Sequence, residues 1–499
     1  MARPTFPELD RAVATPLSTQ IAAHYAAGIA EGRLAAGERL PTIRAVAEHC
    51  GVTRTTVQEA FRQLAAAGYV EATVGRGTTV LMRPSQRASG LRPHSHPLSP
   101  FAEAALRRTR EMQGGQAVVD GVRLVANFAE LTPDTGRFPV AEWRAAMDAV
   151  LQSRGADLLG YGAAANGMPA LRELFAARAR QFDPKAEAAD VLVTGGAQQA
   201  LDLALRTFCA PGDAVVVTDP CYHNMFGLLR AHGLEAVPVP FGSDGLDLDR
   251  LRRALARPDV RLVYLMPTFH NPTGRTLDLA RRRELAAVLQ ATAIPLVEDE
   301  FQHSLRFRGE ALPSMRSLDA RGLTVTVATA SKELFPALRI GWVLGSAEVL
   351  APMAAVKRFM DLETSALLQA ALVEFVARGG FDHYLDELRD ELRKRHAALQ
   401  AAAAAYLPAG CTVTDPDGGF VVWLEMPTAP LAARLAELAA ERGVRVVPGR
   451  MFDPNSRPSR GLRLSLTRAD AAAIDRGLAV LGEAARQILE EPVSARTFL

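Results

Sequence analysis

The sequence predicts an α/β protein with two unequal parts: a small helical unit that ends in a β-hairpin, and a large domain around a mainly parallel sheet of seven strands. Two observations carry this prediction. Residues 15–81 place apolar side chains at helical spacing and end in a short β pattern. From about residue 123 onward, continuous apolar runs alternate with amphipathic segments, which is typical of parallel strands covered by helices on both faces.

Composition narrows the class of protein. The chain has 499 residues, enough for two or three domains, and 48% of them are hydrophobic and 22% charged, as in soluble globular proteins. No run approaches the roughly 18 consecutive apolar residues of a membrane helix, and charged residues interrupt the N-terminus where a signal peptide would be apolar. The four cysteines are scattered without a CxxC pair. We therefore expect a cytoplasmic protein with no membrane partner and no metal site.

The segment that begins at Pro41 has the pattern of two helices joined by a tight turn. Pro41 and Thr42 begin the first helix, Gly51 suits a left-handed turn, and Thr53 stands where the second helix needs its N-cap. The apolar positions expected to face the core are Ile43, Val46, Ala47, Val57, Phe61 and Leu64. A glycine-rich hairpin tip at residues 74–77 follows. The pattern predicts a winged helix-turn-helix whose second helix enters the major groove of DNA.

Exposed polar residues of this unit are the expected DNA contacts. They lie mainly at the N-terminal end of the second helix, where the helix dipole favours phosphate, and in the wing. The predicted contacts are Arg44, Thr53, Arg54, Thr55, Thr56, Gln58, Gly75 and Arg76. The alternative is a plain helical hairpin with an incidental Arg-Thr-Thr cap. The net charge of +2 gives no global attraction to nucleic acid, so the prediction rests on the motif.

Composition also suggests where the parts begin and end. Residues 1–82 form the DNA-binding unit, and residues 83–122 become rich in Pro, Ser and Arg, which is typical of a flexible linker. The arginines of this linker offer an alternative role, in which they track DNA phosphates. Residues 123–499 form the large domain. Its last part, from about residue 365 to 499, mixes long helices with short strands and is expected to be a smaller α+β subdomain.

Polar residues and glycines follow the strands of the large domain. The predicted strands cover residues 191–194, 214–218, 236–240, 261–267, 294–299, 323–328 and 340–345. Open α/β sheets bind ligands beyond the carboxyl ends of their strands, and each residue found there has a role if the ligand is pyridoxal phosphate. Lys332, the only lysine at a strand end, can form a Schiff base with the cofactor aldehyde.

The other strand-end residues match the remaining parts of that cofactor. Asp299 can keep the pyridine nitrogen protonated, Asn271 can donate to the phenolic oxygen, and Tyr222 can lie against the ring. The residues expected to hold the phosphate are Gly196, Ala197, Gln198, Thr329 and Arg339. Singly these signals are weak, but their order on successive strands is specific. A vestigial pocket or a different phosphate ligand is the alternative.

The two parts of the chain resemble known families. LP-x-x-R, GV-T-R-x-T-V and G-x-G-T within residues 15–81 resemble the marks of GntR-type winged helix-turn-helix domains, and residues 123–495 resemble fold-type-I aminotransferases. In this order, the two parts resemble the MocR/GabR family of transcription regulators. The resemblance implies a pyridoxal-phosphate-dependent-transferase-like fold, an amine or amino-acid effector, a head-to-tail homodimer and an operator with paired half-sites.

The resemblance also extends to single residues. Arg463 in GLRLSL matches the arginine that grips a substrate carboxylate, and Tyr161 in LLGYG matches a tyrosine of the family, so both are implied effector-binding residues. One departure stands out. Where the family usually reads E-D-D-Y, this chain has residues 298–301 as E-D-E-F. Phe301 therefore lacks the hydroxyl that helps to set the electronic state of the cofactor, and efficient turnover is not expected.

Three functions fit these observations. The first is a regulator that senses an amino compound, or pyridoxal phosphate itself, through the aminotransferase-like domain. The second is an active aminotransferase whose DNA-binding head tethers or dimerises it. The third is a DNA-binding protein whose body is a dimerisation scaffold with a vestigial pocket. The intact recognition helix and the loss of a tyrosine at Phe301 favour the first, so we expect a regulator rather than an enzyme and assign no catalytic residue.

Overall fold

The computed structural model describes residues 6–7, 9–10, 15–30, 34, 37–66, 69–73, 77–80, 98–99, 101–103, 105–106, 109, 122–161 and 165–490. The chain divides into two compact units, Met1–Pro97 and Leu98–Leu499, which we call the head and the body. Most of the predicted linker, 83–122, falls outside the described residues, so its boundaries stay predictions.

The head consists of three helices and a hairpin: α1 (Leu17–Ala30), α2 (Ile43–Cys50), α3 (Arg54–Ala66), β1 (Val70–Thr73) and β2 (Gly77–Val80). Thr42 caps α2, since its hydroxyl accepts a hydrogen bond from the amide of Ala45 at 3.2 Å. Gly51 ends α2 in the left-handed conformation with φ at 61°. Thr53 caps α3 through the amide of Thr56 at 3.2 Å. The predicted turn and both caps are present.

The apolar positions predicted for these helices pack inward. Val46 and Val57 are fully buried. Ile43 is half-buried and packs against the apolar core of the head, to which α1 contributes the buried ring of Tyr25. The strands β1 and β2 pair antiparallel, as the wing of this motif requires. The wing tip itself, residues 74–76, lies outside the described residues.

The body begins with a two-residue strand, β3 (Ala126–Asn127), and is centred on an eight-stranded sheet. The strands of this sheet are β4 (Val191–Thr194), β5 (Ala214–Asp219), β6 (Glu235–Gly242), β7 (Gly245–Leu246), β8 (Val260–Leu265), β9 (Leu296–Asp299), β10 (Thr324–Thr329) and β11 (Gly341–Leu344). Their spatial order is β4-β11-β10-β9-β8-β5-β6-β7. All the predicted strands are present. The additional strand, β7, is the two-residue return of a tight turn after β6 and is too short to show an apolar run.

Most strands of this sheet are parallel, as predicted. Of the long strands, β11 alone is antiparallel to its neighbours β10 and β4. On β5, Val215 and Val217 pack into one apolar cluster, whereas Val216 packs into another on the opposite face. Because both faces are buried, the strands appear in the sequence as continuous apolar runs rather than alternating ones.

Helices cover both faces of this sheet. They are α4 (Val140–Leu159), α5 (Pro169–Ala179), α6 (Ala197–Phe208), α7 (His223–Ala231), α8 (Leu248–Leu255), α9 (Leu279–Gln290), α10 (Met315–Leu318), α11 (Ala330–Glu333), α12 (Ala347–Asp361) and α13 (Ala366–Ala377). Short 3₁₀ helices lie at Thr135–Arg137, Ala188–Asp190, His303–Leu305, Pro336–Leu338 and Gly449–Phe452. None of the helices in the described ranges is both long and apolar enough to cross a membrane.

A smaller subdomain follows along the chain. It contains α14 (Gly380–Tyr406), β12 (Thr412–Val413), β13 (Val421–Glu425), α15 (Ala429–Glu441), β14 (Val444–Arg445), β15 (Val447–Pro448), β16 (Gly461–Ser465) and α16 (Ala471–Glu490). The strands β12, β13, β16 and β15 form an antiparallel sheet, while β14 pairs with β3. Ala126 and Phe128 pack into the core of this subdomain. The segment at the start of the body thus belongs to it, although the predicted range of about 365–499 does not include that segment.

Candidate functional site

Most of the predicted cofactor residues lie at one edge of the body sheet. Asp299 is the last residue of β9, Thr329 is the last residue of β10, and Asn271 follows β8. Because β8, β9 and β10 are adjacent and parallel, their carboxyl ends meet at this edge. Lys332 lies in α11, directly after β10. We call this edge the site.

Asp299 is a buried carboxyl group in which one of the two oxygens accepts a hydrogen bond. It is 2% exposed, and its Oδ2 accepts a hydrogen bond from the hydroxyl of Tyr264 at 2.9 Å. Its Oδ1 is buried and has no partner among the described residues. Burial raises the pKa of Asp299 to about 7, although the bond from Tyr264 and the nearby backbone amide of Phe301 lower it. An unmatched buried acceptor is costly, so this oxygen fits a hydrogen-bond donor on a ligand.

Asn271 has a buried side-chain amide whose nitrogen and oxygen both lack a partner in the described part of the chain. The preceding residue, His270, is held on both ring nitrogens, by Thr218 at 3.0 Å and by Thr273 at 2.8 Å. Burial lowers the pKa of His270 to about 3, so its imidazole is neutral near pH 7 and serves the structure. Asn271 therefore offers a ligand both a donor and an acceptor.

Lys332 is a partly buried amine in a cationic setting. Its Nζ donates a hydrogen bond to the carbonyl of Leu131 at 2.5 Å. Burial, and then the charges of Arg463 and Arg339, lower the pKa of Lys332 to about 8. The neutral amine is the nucleophilic form, so the lowered pKa favours attack on an aldehyde near neutral pH.

Arg463 of β16 is a cation that is 3% exposed. Its Nη2 donates to the carbonyl of Ala129 at 2.6 Å, while its Nε has no acceptor among the residues that the structure describes. Burial lowers the pKa of Arg463 to about 10, although Tyr222 raises it. The side chain therefore stays charged near neutral pH. A buried guanidinium with an unmatched Nε fits a carboxylate, which binds such a fork through two oxygens.

The residues predicted to hold the phosphate lie at a glycine turn between β4 and α6. Gly196 has φ at 101°, and a Cβ there would lie 2.9 Å from Nη2 of Arg339. The same Nη2 donates to the carbonyl of Gly195 at 2.9 Å. Ala197 begins α6, and Gln198 is exposed in its first turn. The structure therefore brings Gly196, Ala197, Gln198 and Arg339 together at one helix N-terminus.

Thr329, the remaining predicted phosphate residue, is already engaged within the protein. Its hydroxyl donates to the carbonyl of Ile340 at 3.2 Å and accepts from the amide of Ser331 at 3.1 Å. The Oγ of Ser331, by contrast, is buried and has no partner among the described residues. Thr329 thus caps α11, and Ser331 joins the candidates for a ligand contact. The sequence places Ser331 after the same strand as Thr329 and directly before Lys332, but the sequence prediction gave it no role.

Three aromatic residues that the sequence relates to the cofactor or the effector lie in different surroundings: Tyr222, Tyr161 and Phe301. Tyr222 is half-buried, and its hydroxyl accepts a hydrogen bond from Nδ2 of Asn224 at 2.9 Å. Tyr161 is 86% exposed, so its side chain is not packed against the buried residues of the site. Phe301 is 7% exposed and packs in the same apolar cluster as Tyr264, the partner of Asp299. Position 301 therefore presents an apolar ring and no hydroxyl.

Sequence reasoning also missed Tyr264 and the segment that contains Ala129 and Leu131. A tyrosine within the apolar run of β8 is a weak signal of a buried polar contact, because a buried hydroxyl needs a hydrogen-bond partner but the sequence does not say which one. Here Asp299 of the adjacent strand is that partner. No sequence signal marks the carbonyls of Ala129 and Leu131, because every residue has such a group.

In the head, the predicted DNA contacts divide into exposed and engaged side chains. Arg54, Thr55 and Gln58 are exposed on the first turns of α3. Thr53 and Thr56 hydrogen-bond to each other through their hydroxyls at 2.9 Å. Arg44 is exposed but forms an ion pair with Glu48 at 2.9 Å. The other two predicted contacts, Gly75 and Arg76, lie outside the described residues.

Comparison with known families accounts for both parts of this geometry. The family profile "Aminotransferase class I and II" matches residues 125–481. The chain belongs to this family. A second profile, "Bacterial regulatory proteins, gntR family", matches residues 17–80. This aminotransferase-family chain thus carries a GntR-type head. The match confirms the predicted fold class and the resemblance to MocR/GabR regulators.

Relatives with known names include regulators and enzymes. The chain is 28% identical over 476 residues to "Probable rhizopine catabolism regulatory protein MocR" of Rhizobium meliloti, with 94% of each chain covered. It is 32% identical over 368 residues to 2-aminoadipate transaminase of Thermus thermophilus, covering 73% of this chain and 91% of the relative. The crystal structure of LysN, α-aminoadipate aminotransferase of Thermus thermophilus complexed with N-(5'-phosphopyridoxyl)-L-leucine, matches with a TM-score of 0.69 at 30% identity.

The coverage of these relatives separates two arrangements. The LysN structure covers 79% of this chain and is itself covered over 98% of its length. The aminotransferase profile begins at residue 125, after the head. MocR matches over nearly the whole chain, head included. The arrangement of GntR head and aminotransferase-family body is therefore that of the MocR-type transcriptional regulators.

Proposed function

We propose that the protein is a DNA-binding transcription regulator whose body holds pyridoxal phosphate and senses an amino compound there. The observation that carries this proposal is a set of buried polar atoms without partners among the described residues, gathered around one sheet edge. The set consists of Nδ2 and Oδ1 of Asn271, Oδ1 of Asp299, Oγ of Ser331 and Nε of Arg463. Folded proteins satisfy most buried polar groups, so a concentration of unmatched ones supports a ligand site.

These groups fit the parts of pyridoxal phosphate. When bound, this cofactor supplies an aldehyde that takes up an amine as a Schiff base and a ring that withdraws electrons from the bound amine. Lys332 would provide the resident amine, Asp299 would accept a hydrogen bond from the pyridine nitrogen, and Asn271 would donate to the phenolic oxygen. Tyr222 would lie against the ring. The residues proposed for the phosphate are Gly196, Ala197, Gln198, Arg339 and Thr329, whose hydroxyl would give up its bond to the carbonyl of Ile340.

The proposed effector is an amine or amino acid. Its amino group would compete with Lys332 for the cofactor, and its carboxylate would bind Arg463, whose Nε is unmatched among the described residues. In a variant of this proposal, pyridoxal phosphate is itself the signal, and loading of the site is the regulatory event.

A head-to-tail homodimer is part of this proposal. Tyr161 is 86% exposed, and Leu159 and Phe359 are 72% and 93% exposed. Large apolar side chains of this kind support a contact surface for a second copy, which would bring Tyr161 to the effector site of the partner. Two heads in such a dimer would bind paired half-sites of one operator, with α3 of each in a major groove.

The second candidate function is an active aminotransferase with a DNA-binding head. Its support is that Lys332, Asp299 and Asn271 are all present at the site, together with the 32% identity to 2-aminoadipate transaminase. The phenylalanine at position 301 favours sensing over turnover, because it has no hydroxyl to offer to the cofactor.

An absorbance spectrum tests the proposal. After unbound pyridoxal phosphate is removed by gel filtration, we expect the wild-type protein to retain a visible band at longer wavelength than that of the free cofactor, and Lys332→Ala to lack it, because the shifted band comes from a Schiff base to that lysine. Lys185→Ala is the matched control, since Lys185 is exposed and lies outside the site. A band that an amino acid shifts without release of keto acid supports the sensor, whereas steady keto-acid release supports the enzyme. A band of equal size in Lys332→Ala and wild type would refute the proposed site.

A further inference from the structure

Two side chains hold the backbone of Gly195, the first glycine of the turn between β4 and α6, which we call the cradle. Nη2 of Arg339 donates to the carbonyl of Gly195 at 2.9 Å. On the other side, the amide of Gly195 donates to Oε1 of Gln199 at 2.6 Å. This amide is therefore engaged within the protein, and the donors proposed for the phosphate come from the residues that follow it. Their direction depends on how Gly195 is held.

A carboxylate fixes the orientation of the Gln199 side-chain amide. Asp361, the last residue of α12, accepts a hydrogen bond from Nε2 of Gln199 at 2.8 Å. An ionised carboxylate can only accept hydrogen bonds, so the nitrogen of the amide must face it. The oxygen of Gln199 then faces the backbone N–H of Gly195, which can only donate. Asp361 thus selects the amide orientation that holds the cradle.

A buried lysine balances the charge of that carboxylate. Nζ of Lys357, one turn earlier in α12, donates to Oδ1 of Asp361 at 2.9 Å. The side chains of Lys357 and Asp361 are 2% and 26% exposed. A buried ion pair adds little stability over apolar residues of similar size, so stability alone does not account for this lysine. Without it, Asp361 would repel a phosphate in the cradle, because salt screens partly buried charges poorly.

We propose that Lys357, Asp361 and Gln199 are positioning residues that prepare the cradle for the phosphate of the cofactor. Gln199 holds the turn, Asp361 orients Gln199, and Lys357 offsets the negative charge that Asp361 would otherwise present to the phosphate. None of the three is among the residues proposed to touch the cofactor. This inference rests on the proposed function, because it takes a phosphate at this turn as given. The alternative is a purely structural role, in which the three side chains only join α6 to α12.

Pyridoxal distinguishes the two roles, since it has the aldehyde and the ring of pyridoxal phosphate but lacks the phosphate. In full-length Lys357→Met, Asp361 has no counter-ion. We expect the dissociation constant for pyridoxal phosphate to rise about tenfold and that for pyridoxal to change by less than about twofold, as absorbance titration measures. Lys394→Met, which removes an exposed lysine from α14, should bind both like wild type. Equal weakening of both ligands by Lys357→Met would overturn the inference.

A double substitution tests the role of charge directly. Lys357→Met/Asp361→Asn removes both charges and retains a side-chain oxygen that can accept from Gln199. We expect this variant to bind pyridoxal phosphate within about threefold of wild type, and thus more tightly than Lys357→Met, because the two substitutions compensate each other. A merely structural pair would be damaged further by the second change. No recovery of affinity relative to Lys357→Met would overturn the inference.

Gln199→Met guards against a folding defect in the Lys357 variants. Gln199 is half-buried, and methionine has a similar length and helix propensity, so this variant removes the hold on Gly195 without changing the charge. We expect the affinity for pyridoxal phosphate to fall about fivefold and that for pyridoxal to stay within about twofold of wild type. Wild-type affinity of Gln199→Met for pyridoxal phosphate would contradict the inference independently of Lys357.

Inorganic phosphate gives a readout that does not involve the cofactor. Titration calorimetry of the cofactor-free protein should show weaker binding of phosphate to Lys357→Met than to wild type or Lys394→Met. If wild type shows the band that depends on Lys332, but Lys357→Met binds phosphate and pyridoxal phosphate like wild type, the inference fails and the proposed function stands. A wild type that binds pyridoxal phosphate no more tightly than pyridoxal would instead refute the proposed phosphate site, and the inference with it.

Discussion

The head and the body place their functional polar groups in opposite environments. In the head, the candidate DNA contacts Arg54, Thr55 and Gln58 are exposed to solvent on neighbouring turns of one helix. In the body, Asp299 and Asn271 are 2% and 1% exposed and carry side-chain atoms without partners in the described part of the chain. The head presents a surface to a large polyanion, whereas the body encloses a small ligand.

This difference in the exposure of functional side chains determines which substitutions the head and the body tolerate. An exposed arginine is hydrated before it meets DNA, so its removal changes binding and leaves folding almost untouched. A buried group without a partner is a cost to the folded protein that a bound ligand removes. Substitutions in the body should therefore couple ligand binding to stability, and substitutions on the surface of the head should separate the two.

The largest expected effect is at the cradle of the body. Gly196→Ala places a methyl group 2.9 Å from Nη2 of Arg339 at a residue with φ of 101°, so the turn and the arginine must both shift. We expect the affinity for pyridoxal phosphate to fall by about 100-fold, because the phosphate loses its charged partner and its amide donors. Equilibrium titration by absorbance measures this change.

Gly155→Ala is the matched control for that substitution. Gly155 lies in α4, and a Cβ at this position meets no atom within 4 Å. Glycine to alanine within a helix stabilises by about 0.5–1 kcal/mol, so this variant should melt slightly higher and bind the cofactor normally. A Gly196→Ala protein with wild-type affinity would show that the phosphate does not rest on this turn.

The same contrast explains how much the sequence could predict. Gly51, Thr53 and Gly196 were found because caps and turns depend on residues close together in the chain. The strand-end placement of Asp299 and Lys332 followed from the rule that parallel strands bind ligands at their carboxyl ends. The bond from the hydroxyl of Thr329 to the carbonyl of Ile340 could not be predicted, since Ile340 lies eleven positions further along, on the approach to a different strand.

Long-range contacts were the other part that escaped prediction. The bond between Tyr264 and Asp299 needs the order of strands in the sheet, which the apolar runs do not reveal. Residues 129–131 contribute only backbone carbonyl groups to Lys332 and Arg463, and these are the same in every residue type. The site is therefore predictable where chemistry resides in a side chain near a strand end, and unpredictable where tertiary packing supplies the partner.

An intermediate effect is expected at Asp299, in its dependence on pH. Folding raises the pKa of Asp299 from 3.8 to about 7, so folding favours its protonated form. The contribution of this group to stability is complete below its unfolded pKa and is lost as the pH rises through about 7. Without cofactor, the free energy of unfolding of wild type relative to Asp299→Asn should therefore fall by about 2 kcal/mol between pH 5 and pH 7. Urea denaturation at both pH values measures the difference.

The control for this measurement is a carboxyl group on the surface of the body. Asp249 is 79% exposed in α8 and pairs with Arg252 at 2.8 Å, a contact of the kind that contributes little to stability. Asp249→Asn should change the free energy of unfolding by less than about 0.5 kcal/mol at either pH. If the free energy of unfolding of wild type relative to Asp299→Asn is also the same at both pH values, ionisation of Asp299 does not destabilise the folded protein. The assignment of Asp299 as a buried carboxyl group that lacks a hydrogen-bond donor on one oxygen is then wrong.

The smallest expected effect is at the head, where Arg54 is exposed at the start of α3. Arg54→Ala should weaken binding to duplex DNA by about tenfold and make the slope of log affinity against log salt shallower by about one, because one phosphate contact is lost. Thermal stability should stay within about 1 °C of wild type, since an exposed side chain is removed. Fluorescence anisotropy at several salt concentrations gives both the affinity and the slope.

Arg62→Ala distinguishes a specific contact from general charge. Arg62 is also an exposed arginine of α3, but it lies two turns further along and is bound to both oxygens of Glu59. Loss of either arginine lowers the net charge by one, so an effect of charge alone would be equal in the two variants. If the N-terminal end of α3 meets the DNA, Arg54→Ala weakens binding and Arg62→Ala does not. Equal losses in both would place the DNA contact elsewhere on the head, and the exposed face of α3 would then lose its assigned role.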